Sequence, residues 1–233
     1  MSFKHLGIVV LSYARFDFLR HTLHKIAAGV ARVRDVYPDL RVTVIVADDH
    51  SPEPLAPLLA EVTAATGQPF EPLVAPARSG VIQSFNRGFL RCRELGVDVL
   101  CEIQDDITTT TDDWLLLELQ TLADVLPANR VTFVSGFYGT RYRYDRGRTG
   151  VHGRNAVLRL YEGFVNLVAT MAEWAQCFPM DSIIYRTGEP SGFPHNNRGS
   201  EIDFNLFFYH PQSLRARKKM VLSFTDLVRH IGG

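Results

Sequence analysis

Short apolar runs alternate with amphipathic segments through the first half of the chain. The runs are rich in β-branched residues, as expected of strands buried on both faces of a parallel sheet. The segments between them repeat apolar residues every three or four positions, which is typical of a helix with one buried face. Strands are therefore predicted at 6–11, 42–47, 70–75, 97–104 and 131–135, and helices at 16–33, 55–66, 81–95 and 114–126. This alternation predicts a doubly wound, mostly parallel α/β sheet flanked by helices.

The second half of the chain loses this rhythm. Residues 136–154 are rich in glycine, tyrosine and arginine and have no sustained apolar period, so we predict a long loop there, of the kind that is usually functional or disordered. Shorter strands are predicted at 156–160, 164–169, 180–185 and 219–224, and a helix at 200–209. No internal repeat or evident linker divides the sequence, so a single domain is expected over 1–233.

Composition narrows the classes of function. A hydrophobic content of 46% suffices for a core, and 25 basic residues balance 25 acidic ones, so no general attraction for nucleic acid is expected. The three cysteines have no metal-ligand spacing and leave an odd thiol, which favours a reducing compartment. No apolar run approaches the roughly 20 residues of a spanning helix. We therefore expect a cytoplasmic protein without a transmembrane segment, and leave peripheral membrane attachment open.

Two of the predicted strands end in a pair of aspartates. Asp48 and Asp49 follow the second strand, and Asp105 and Asp106 follow the fourth. Ligands bind outside the carboxyl ends of strands in an open α/β sheet, so these acids are expected to meet at one rim. Anions gathered there either have raised pKa values or share a cation. A divalent cation with oxygen ligands, Mg²⁺ or Mn²⁺, is the simpler solution, and it would complete its coordination with water and the phosphates of a nucleotide diphosphate.

Four segments resemble the inverting glycosyltransferases of family 2, which have the GT-A fold. Residues 8–15 are similar to the family's opening strand and nucleotide-contacting turn, and 46–51 to its second-strand signature, where an aspartate contacts the base. Residues 77–80 with 84–88 are similar to the segment whose polar side chains approach the nucleotide. By this resemblance the nucleotide-sugar-binding residues are Ser12, Tyr13, Arg15, Asp48, Asp49, Arg78, Ser79, Gly80, Asn86 and Asp105.

The fourth segment, Gln104-Asp105-Asp106, falls at the family's Asp-x-Asp position. Gln104 stands where the family has its first acid. The resemblance implies that Asp106 binds the metal, Mn²⁺ or Mg²⁺, and that Asp105 contacts the donor. His230 resembles the C-terminal histidine that completes the metal site in some GT-A enzymes.

A later segment, 199–204, is similar to the family's Gly-Glu-Asp-x-Asp-Leu sequence, whose second acid is the catalytic base. The alignment places the base at Glu201, with Asp203 as the rival. The tyrosine- and arginine-rich residues of 136–154 are expected to close over donor or acceptor.

Each candidate also has a purely structural interpretation. Asp48 and Asp49 could form a turn and a helix cap, Glu201 and Asp203 could be first-turn acids of a helix, and Arg78 a solvated charge. His230 could be a tail residue. The threonines at 108–111 are expected to form a turn, with Thr110 or Thr111 capping the next helix.

The resemblance implies a GT-A-like, Rossmann-like domain with a nucleotide-sugar-binding half at 1–135 and a more irregular acceptor-binding half at 136–233. The implied activity is inverting transfer of a sugar from a UDP- or GDP-sugar to a hydroxyl of a glycan, lipid-linked or small-molecule acceptor. The alternatives are a retaining GT-A transferase, a sugar nucleotidyltransferase, or a degenerate GT-A domain that binds a nucleotide or a partner without turnover, which Gln104 favours.

Overall fold

The computed structural model describes residues 3–126, 131–137, 145–159, 165–180, 212–214 and 216–231. These residues form one ten-stranded mixed sheet with helices on both faces. The strands are β1 (His5–Ser12), β2 (Arg41–Asp48), β3 (Glu71–Val74), β4 (Val99–Gln104), β5 (Ile107–Thr109), β6 (Val131–Phe137), β7 (Asp145–Val151), β8 (Arg154–Arg159), β9 (Asn166–Thr170) and β10 (Met220–His230). The helices are α1 (Phe16–Val36), α2 (Leu55–Thr66), α3 (Val81–Glu94), α4 (Trp114–Val125) and α5 (Met171–Trp174).

The sheet has the order β3-β2-β1-β4-β9-β6-β10-β8-β7, and β5 pairs separately with β10. Strands β3, β2, β1 and β4 are parallel neighbours, as the alternating pattern predicts. Beyond β4 the sheet becomes mixed, because β9 and the β7–β8 hairpin run antiparallel to their neighbours while β6 and β10 pair in parallel. The predicted α/β class with a central sheet between helices is confirmed.

The two faces of the sheet have separate hydrophobic cores. Helices α1, α2 and α4 bury apolar residues such as Leu23 and Leu115 on one face. On the other face, Trp174 of α5 packs against α3 and the sheet. Its ring centroid lies 5.0 Å from that of Phe85 on α3 and 4.7 Å from that of Phe133 on β6. The indole Nε1 of Trp174 donates a 3.0 Å hydrogen bond to the carbonyl of Leu100 on β4. Packing on both faces therefore holds the parallel strands, and with them their carboxyl ends, in position.

Helix α3 lies unusually close to β1. Gly88 faces Val9, and a Cβ atom on Gly88 would lie 2.5 Å from Cγ1 of Val9, which is inside the contact distance of any real side chain. The absence of a side chain lets the helix settle directly on the strand. The N-terminal end of α3, at Gly80 and Val81, is thereby held beside the carboxyl end of β1.

Two local predictions are wrong. Of the threonines predicted to form a turn at 108–111, Thr108 and Thr109 belong to strand β5 instead. Their β-branched side chains suit a strand, and β10 supplies the partner, with Thr109 opposite Val228. Neither Thr110 nor Thr111 caps α4, because the N-cap residue of that helix is Asp113 and no side chain caps its N-terminal end.

The predicted loop at 136–154 is also wrong where it is described, because 145–154 belong to the β7–β8 hairpin. His152 and Gly153 occupy the left-handed region there, at φ 48° and 74°, as tight hairpin turns require. Strand β10 runs on to His230, past the predicted end at 224. Except for Met180, the predicted strand at 180–185 and helix at 200–209 lie outside the described residues. In the described part of the chain, no helix is both long and apolar enough to cross a bilayer.

Glu118 of α4 is a fully buried acid near β6 and β9. Burial raises the pKa of this carboxyl well above its ordinary value, and neither of its oxygens has a hydrogen-bond partner among the described residues. The N–H of Gly136 donates instead to Oδ1 of Asn166, at 2.7 Å. A Cβ atom at position 136 would lie 2.3 Å from Oε1 of Glu118, so only glycine fits beside the carboxyl group. Glu118 therefore stays protonated in the folded chain at pH values where an exposed glutamate is ionised.

We expect Glu118→Gln to stabilise the protein at pH 8 and to change it little at pH 4. A folded-state pKa above the unfolded value gives a contribution that is complete below the unfolded pKa, about 4.3, and is lost as the pH rises towards the folded pKa. Glutamine has the same shape and is neutral throughout. Urea unfolding at both pH values measures the effect, with the exposed Glu94→Gln as control. An unchanged pH dependence in the Glu118 variant would contradict this assignment.

Candidate active site

The carboxyl ends of β1, β2 and β4 meet at one edge of the sheet. In the parallel register Ser12 lies opposite Asp48, and Leu11 lies opposite Gln104. A cleft of about 360 Å³ opens there, between the strand ends and the start of α3. It is lined by Leu11, Ser12, Tyr13, Arg15, Asp49, Arg78, Gly80, Val81, Ser84, Gln104 and Asp105. Seven of the ten predicted donor-binding residues therefore line one cavity.

Asp105 lines this cleft and Asp106 follows it in the chain; both are buried, and Arg15 bridges them. One terminal nitrogen of the guanidinium donates to Asp105 and the other to Asp106. The backbone N–H of Tyr13 donates a further 3.2 Å hydrogen bond to Asp105. The turn after β1 thus supplies the positive charge that lets two adjacent carboxylates lie out of water.

His230 lies against Asp106, as the resemblance implies for two metal ligands. Its Nε2 is 2.9 Å from Oδ2 of Asp106, and the N–H of Ile231 donates a 2.8 Å hydrogen bond to the Asp106 carbonyl. The pairing of β5 with β10 brings these residues together, since His230 lies opposite Ile107. His230 is therefore part of the sheet and not a tail residue.

The residues around Asp106 fit a divalent cation that is completed by substrate. The Oδ1 atom of Asp106 is buried and has no hydrogen-bond partner, and an imidazole lies beside the same carboxylate. Within the described ranges, no three His, Cys, Asp or Glu side chains are grouped to hold a metal ion. A site with one carboxylate and one imidazole matches the sites in which water and phosphate oxygens provide the remaining ligands.

The two aspartates differ in acidity. Burial raises the pKa of Asp105 to about 6; the charge of Arg15 opposes this shift and that of Asp106 adds to it. Burial also acts to raise the pKa of Asp106, but the hydrogen bond and charge of His230, with the charge of Arg15, bring it below its ordinary value. Asp106 is therefore the more acidic of the two and stays ionised to a lower pH than Asp105, which suits a metal ligand.

Asp49 shapes the wall of the cleft opposite these acids. Its carboxylate accepts hydrogen bonds from the backbone N–H groups of Ser79 and Gly80, at 2.8 Å each, and from the Ser79 hydroxyl at 2.9 Å. Gly80 has φ +88°, a conformation that side chains rarely adopt. The carboxylate therefore holds the turn that leads into α3.

We expect Asp49→Ala to lower the free energy of unfolding by about 2 kcal/mol, because two backbone donors and a hydroxyl lose a charged acceptor. If this turn contacts the nucleotide, the dissociation constant for UDP or GDP should also rise. Urea unfolding and calorimetric titration measure the two effects. Asp39→Ala, in the exposed loop before β2, is the control and should change neither. An unaltered affinity would leave Asp49 with the structural role alone.

Arg78 lines the same wall, and Arg87 contacts Ser79 and Ser84 beside it. The Arg78 guanidinium stacks on the ring of Tyr13, with Cζ 4.1 Å from the ring centroid. Arg87 donates to the Ser79 hydroxyl at 2.9 Å and to the Ser84 hydroxyl at 3.0 Å. The sequence interpretation missed Arg87, although positions 80, 84 and 87 share one helical face and could have indicated it.

Two other predicted donor residues have structural partners and do not line the cleft. Asp48 accepts a 2.8 Å hydrogen bond from the N–H of Ser51, so it forms the turn that its structural interpretation describes. Asn86 is bonded both ways to the backbone of Met180, accepting at 2.8 Å and donating at 3.1 Å. Their roles in donor binding stay predictions. Glu201 and Asp203 lie outside the described residues.

Two solved structures have a similar fold. Residues 1–349 of TarS from S. aureus match with a TM-score of 0.54 at 10% identity, over 96% of this chain and 59% of that one. The catalytic domain of Drosophila β1,4-galactosyltransferase 7, crystallised with xylobiose, matches with a TM-score of 0.53 at 13% identity, over 98% of this chain and 71% of that one. At such identities the similarity establishes the fold.

A third structure is more distant. Glucosyl-3-phosphoglycerate synthase from Mycobacterium tuberculosis, in complex with Mn²⁺ and UDP, matches with a TM-score of 0.41 at 14% identity, over 59% of this chain and 45% of that one. This chain is shorter than the proteins it resembles, spanning about half of that synthase and about three-fifths of the TarS fragment. No curated protein sequence matches it.

The family model described as "Glycosyl transferase family 2" matches residues 7–172, which is more than half of the chain. The match includes the strand ends, the turn at Asp49 and both acids of the 104–106 segment. The resemblance noted in the sequence is confirmed, and the chain belongs to glycosyl transferase family 2.

Proposed function

We propose that this chain transfers a sugar from a UDP- or GDP-sugar to an acceptor hydroxyl by inverting displacement, with Mn²⁺ or Mg²⁺ held by Asp106 and His230. The observation that carries the proposal is the contact between these two side chains, next to Arg15 and Asp105, which line the donor cleft. The acceptor is a glycan, a lipid-linked sugar or a small molecule.

The cleft has features suited to a nucleotide diphosphate. Tyr13 offers an aromatic face beside the Arg78 guanidinium, a combination that can stack on a base. Gly80 and Val81 line the cleft where α3 begins, so the positive end of that 14-residue helix faces the cavity. Base and diphosphate can therefore occupy one continuous wall.

In the proposed displacement, the acceptor oxygen bonds to the anomeric carbon as the bond from that carbon to the diphosphate breaks. Glu201 or Asp203 takes the proton from the attacking hydroxyl. Asp105, held by Arg15 and the N–H of Tyr13, orients the donor. The bound cation supplies positive charge for the departing diphosphate.

The direct test is stabilisation by donor products. The melting temperature should rise with UDP or GDP in the presence of Mn²⁺, since a ligand at 100 times its dissociation constant stabilises by about 2.7 kcal/mol. ADP and CDP are the controls for base preference. If no nucleoside diphosphate raises the melting temperature with metal present, the proposal fails.

A second candidate is a domain of this family that binds a nucleotide without turnover. Gln104 replaces an acid of the family motif, and Arg15 already pairs with both remaining acids. Such a domain would show nucleotide-dependent stabilisation but neither hydrolysis nor transfer of any donor sugar. Retaining transferases and nucleotidyltransferases are separated from the main proposal by the anomeric configuration and identity of the product.

A further inference from the structure

Arg15 is the one described cation that contacts both acids of the 104–106 segment. Its side chain is 42% exposed, whereas those of Asp105 and Asp106 are 0% and 1% exposed. The guanidinium therefore reaches from the mouth of the cleft onto two carboxylates that are otherwise out of water. It compensates part of the negative charge of these carboxylates, as a metal ion bound at the same place would do.

The carboxylate of Asp106 is only partly occupied by this contact. Arg15 and His230 both approach Oδ2, and Oδ1 is buried without a hydrogen-bond partner. A cation that binds Asp106 would thus lie close to a fixed positive charge. Two unit charges 4 Å apart near a protein surface repel appreciably, and a divalent ion doubles the effect.

Arg15 also borders a second cavity, of about 400 Å³, on the far side of the turn after β1. Two acids, Asp17 and Glu53, are among its lining residues. The exposed part of the Arg15 side chain thus has space beside it and other acceptors within the surrounding surface. Movement of the guanidinium off Asp106 does not require the core to open.

We propose that Arg15 is an internal counter-ion that competes with the divalent cation for Asp105 and Asp106, and that a nucleoside diphosphate relieves this competition by binding the guanidinium. The inference rests on the proposed function, in which cation and diphosphate share this cleft. Arginine pairs with phosphate through two parallel hydrogen bonds, so the diphosphate is a suitable alternative partner. Cation and nucleotide then bind cooperatively, each strengthening the other by the same factor.

The test measures Mn²⁺ binding without turnover, from the electron paramagnetic resonance signal of free Mn²⁺, with and without UDP and GDP. In the wild type, the better-bound nucleotide should tighten Mn²⁺ binding by about tenfold or more, within the usual range of such couplings. In Arg15→Gln, Mn²⁺ without nucleotide should bind about tenfold more tightly, and the gain from nucleotide should shrink. Mn²⁺ alone should also raise the melting temperature of the variant more than that of the wild type.

Two further variants separate charge from shape and from general effects. Arg15→Lys keeps the positive charge but loses the two-pronged donor, so most of the competition should remain while the coupling to nucleotide weakens. Arg32→Gln, in the adjoining helix α1, removes an arginine that pairs with Asp35 and Asp113 outside the donor cleft, and it should behave as the wild type. Melting temperatures without metal establish that each variant is folded.

The outcomes separate this inference from the proposed function. Equal Mn²⁺ affinity and equal nucleotide coupling in Arg15→Gln and wild type would overturn the role of Arg15 and leave the cation site standing. Weaker Mn²⁺ binding in Arg15→Gln would overturn it as well, because Arg15 would then support the site. If Mn²⁺ binds neither protein even with nucleotide, the cation site of the proposed function fails and the competition fails with it.

Discussion

Asp106→Asn lowers kcat/KM for sugar transfer by about 100- to 1,000-fold in the expected result, the range seen when one group that stabilises developing charge is removed. The amide has nearly the shape of the carboxylate and still accepts hydrogen bonds from Arg15 and His230. What it loses is the negative charge, which the structure keeps ionised by placing His230 and Arg15 around it. The measurement is transfer from UDP- and GDP-sugars over a range of Mn²⁺ concentrations.

The matched control is Asp113→Asn. Asp113 lies at the N-cap of α4 and forms an exposed ion pair with Arg32, with 2.8 Å between Oδ1 and the arginine Nε. It should keep full activity. If Asp106→Asn retains wild-type kcat/KM at every Mn²⁺ concentration, Asp106 does not hold a cation that is needed for transfer.

The second large effect concerns the base. Replacing it with the matching amide should lower kcat by about 100- to 10,000-fold, the usual contribution of a positioned proton acceptor, and leave nucleotide binding intact. Glu201 and Asp203 are two residues apart, so in the helix predicted at 200–209 they would lie on nearly opposite faces, about 160° apart. Only one of them can then face the acceptor.

Glu201→Gln and Asp203→Asn therefore form a comparison in which each variant is the control for the other. One should lose transfer while UDP or GDP still raises its melting temperature; the other should stay active. Full activity in both would contradict the inverting mechanism. Loss of nucleotide binding in the inactive variant would indicate damage to the fold instead of removal of a base.

The first half of the fold could be predicted because its signals are local. Buried parallel strands and one-sided helices leave their period in a few adjacent residues, so α2 was predicted at its observed bounds. Strand β5 was missed because three residues contain no period, and its partner lies in β10, more than a hundred residues further along. Strand β7 was missed because glycines and charged residues hid the alternation, whereas the strand predicted at 156–160 coincides with most of β8.

The candidate site, like the fold, could be predicted only in part. Strand ends that stop at acids indicated the rim, and Tyr13, Asp49 and Asp105 do line the cleft. The sequence carried no sign that Arg15 bridges two acids some ninety residues away, because that contact depends on the register between β1 and β4. Nor could it show that the Asp49 carboxylate is occupied by the turn before α3.

The pairing of strand β10 determines when, during folding, His230 reaches Asp106. The pairing of β10 with β5 is a contact between residues far apart in the sequence, and such contacts tend to form late and slowly in folding. Before it forms, Asp106 can lie at the sheet edge without His230. If Asp106 and His230 hold Mn²⁺ as proposed, its binding during refolding should appear with the final docking of β10, and the metal would report completed assembly.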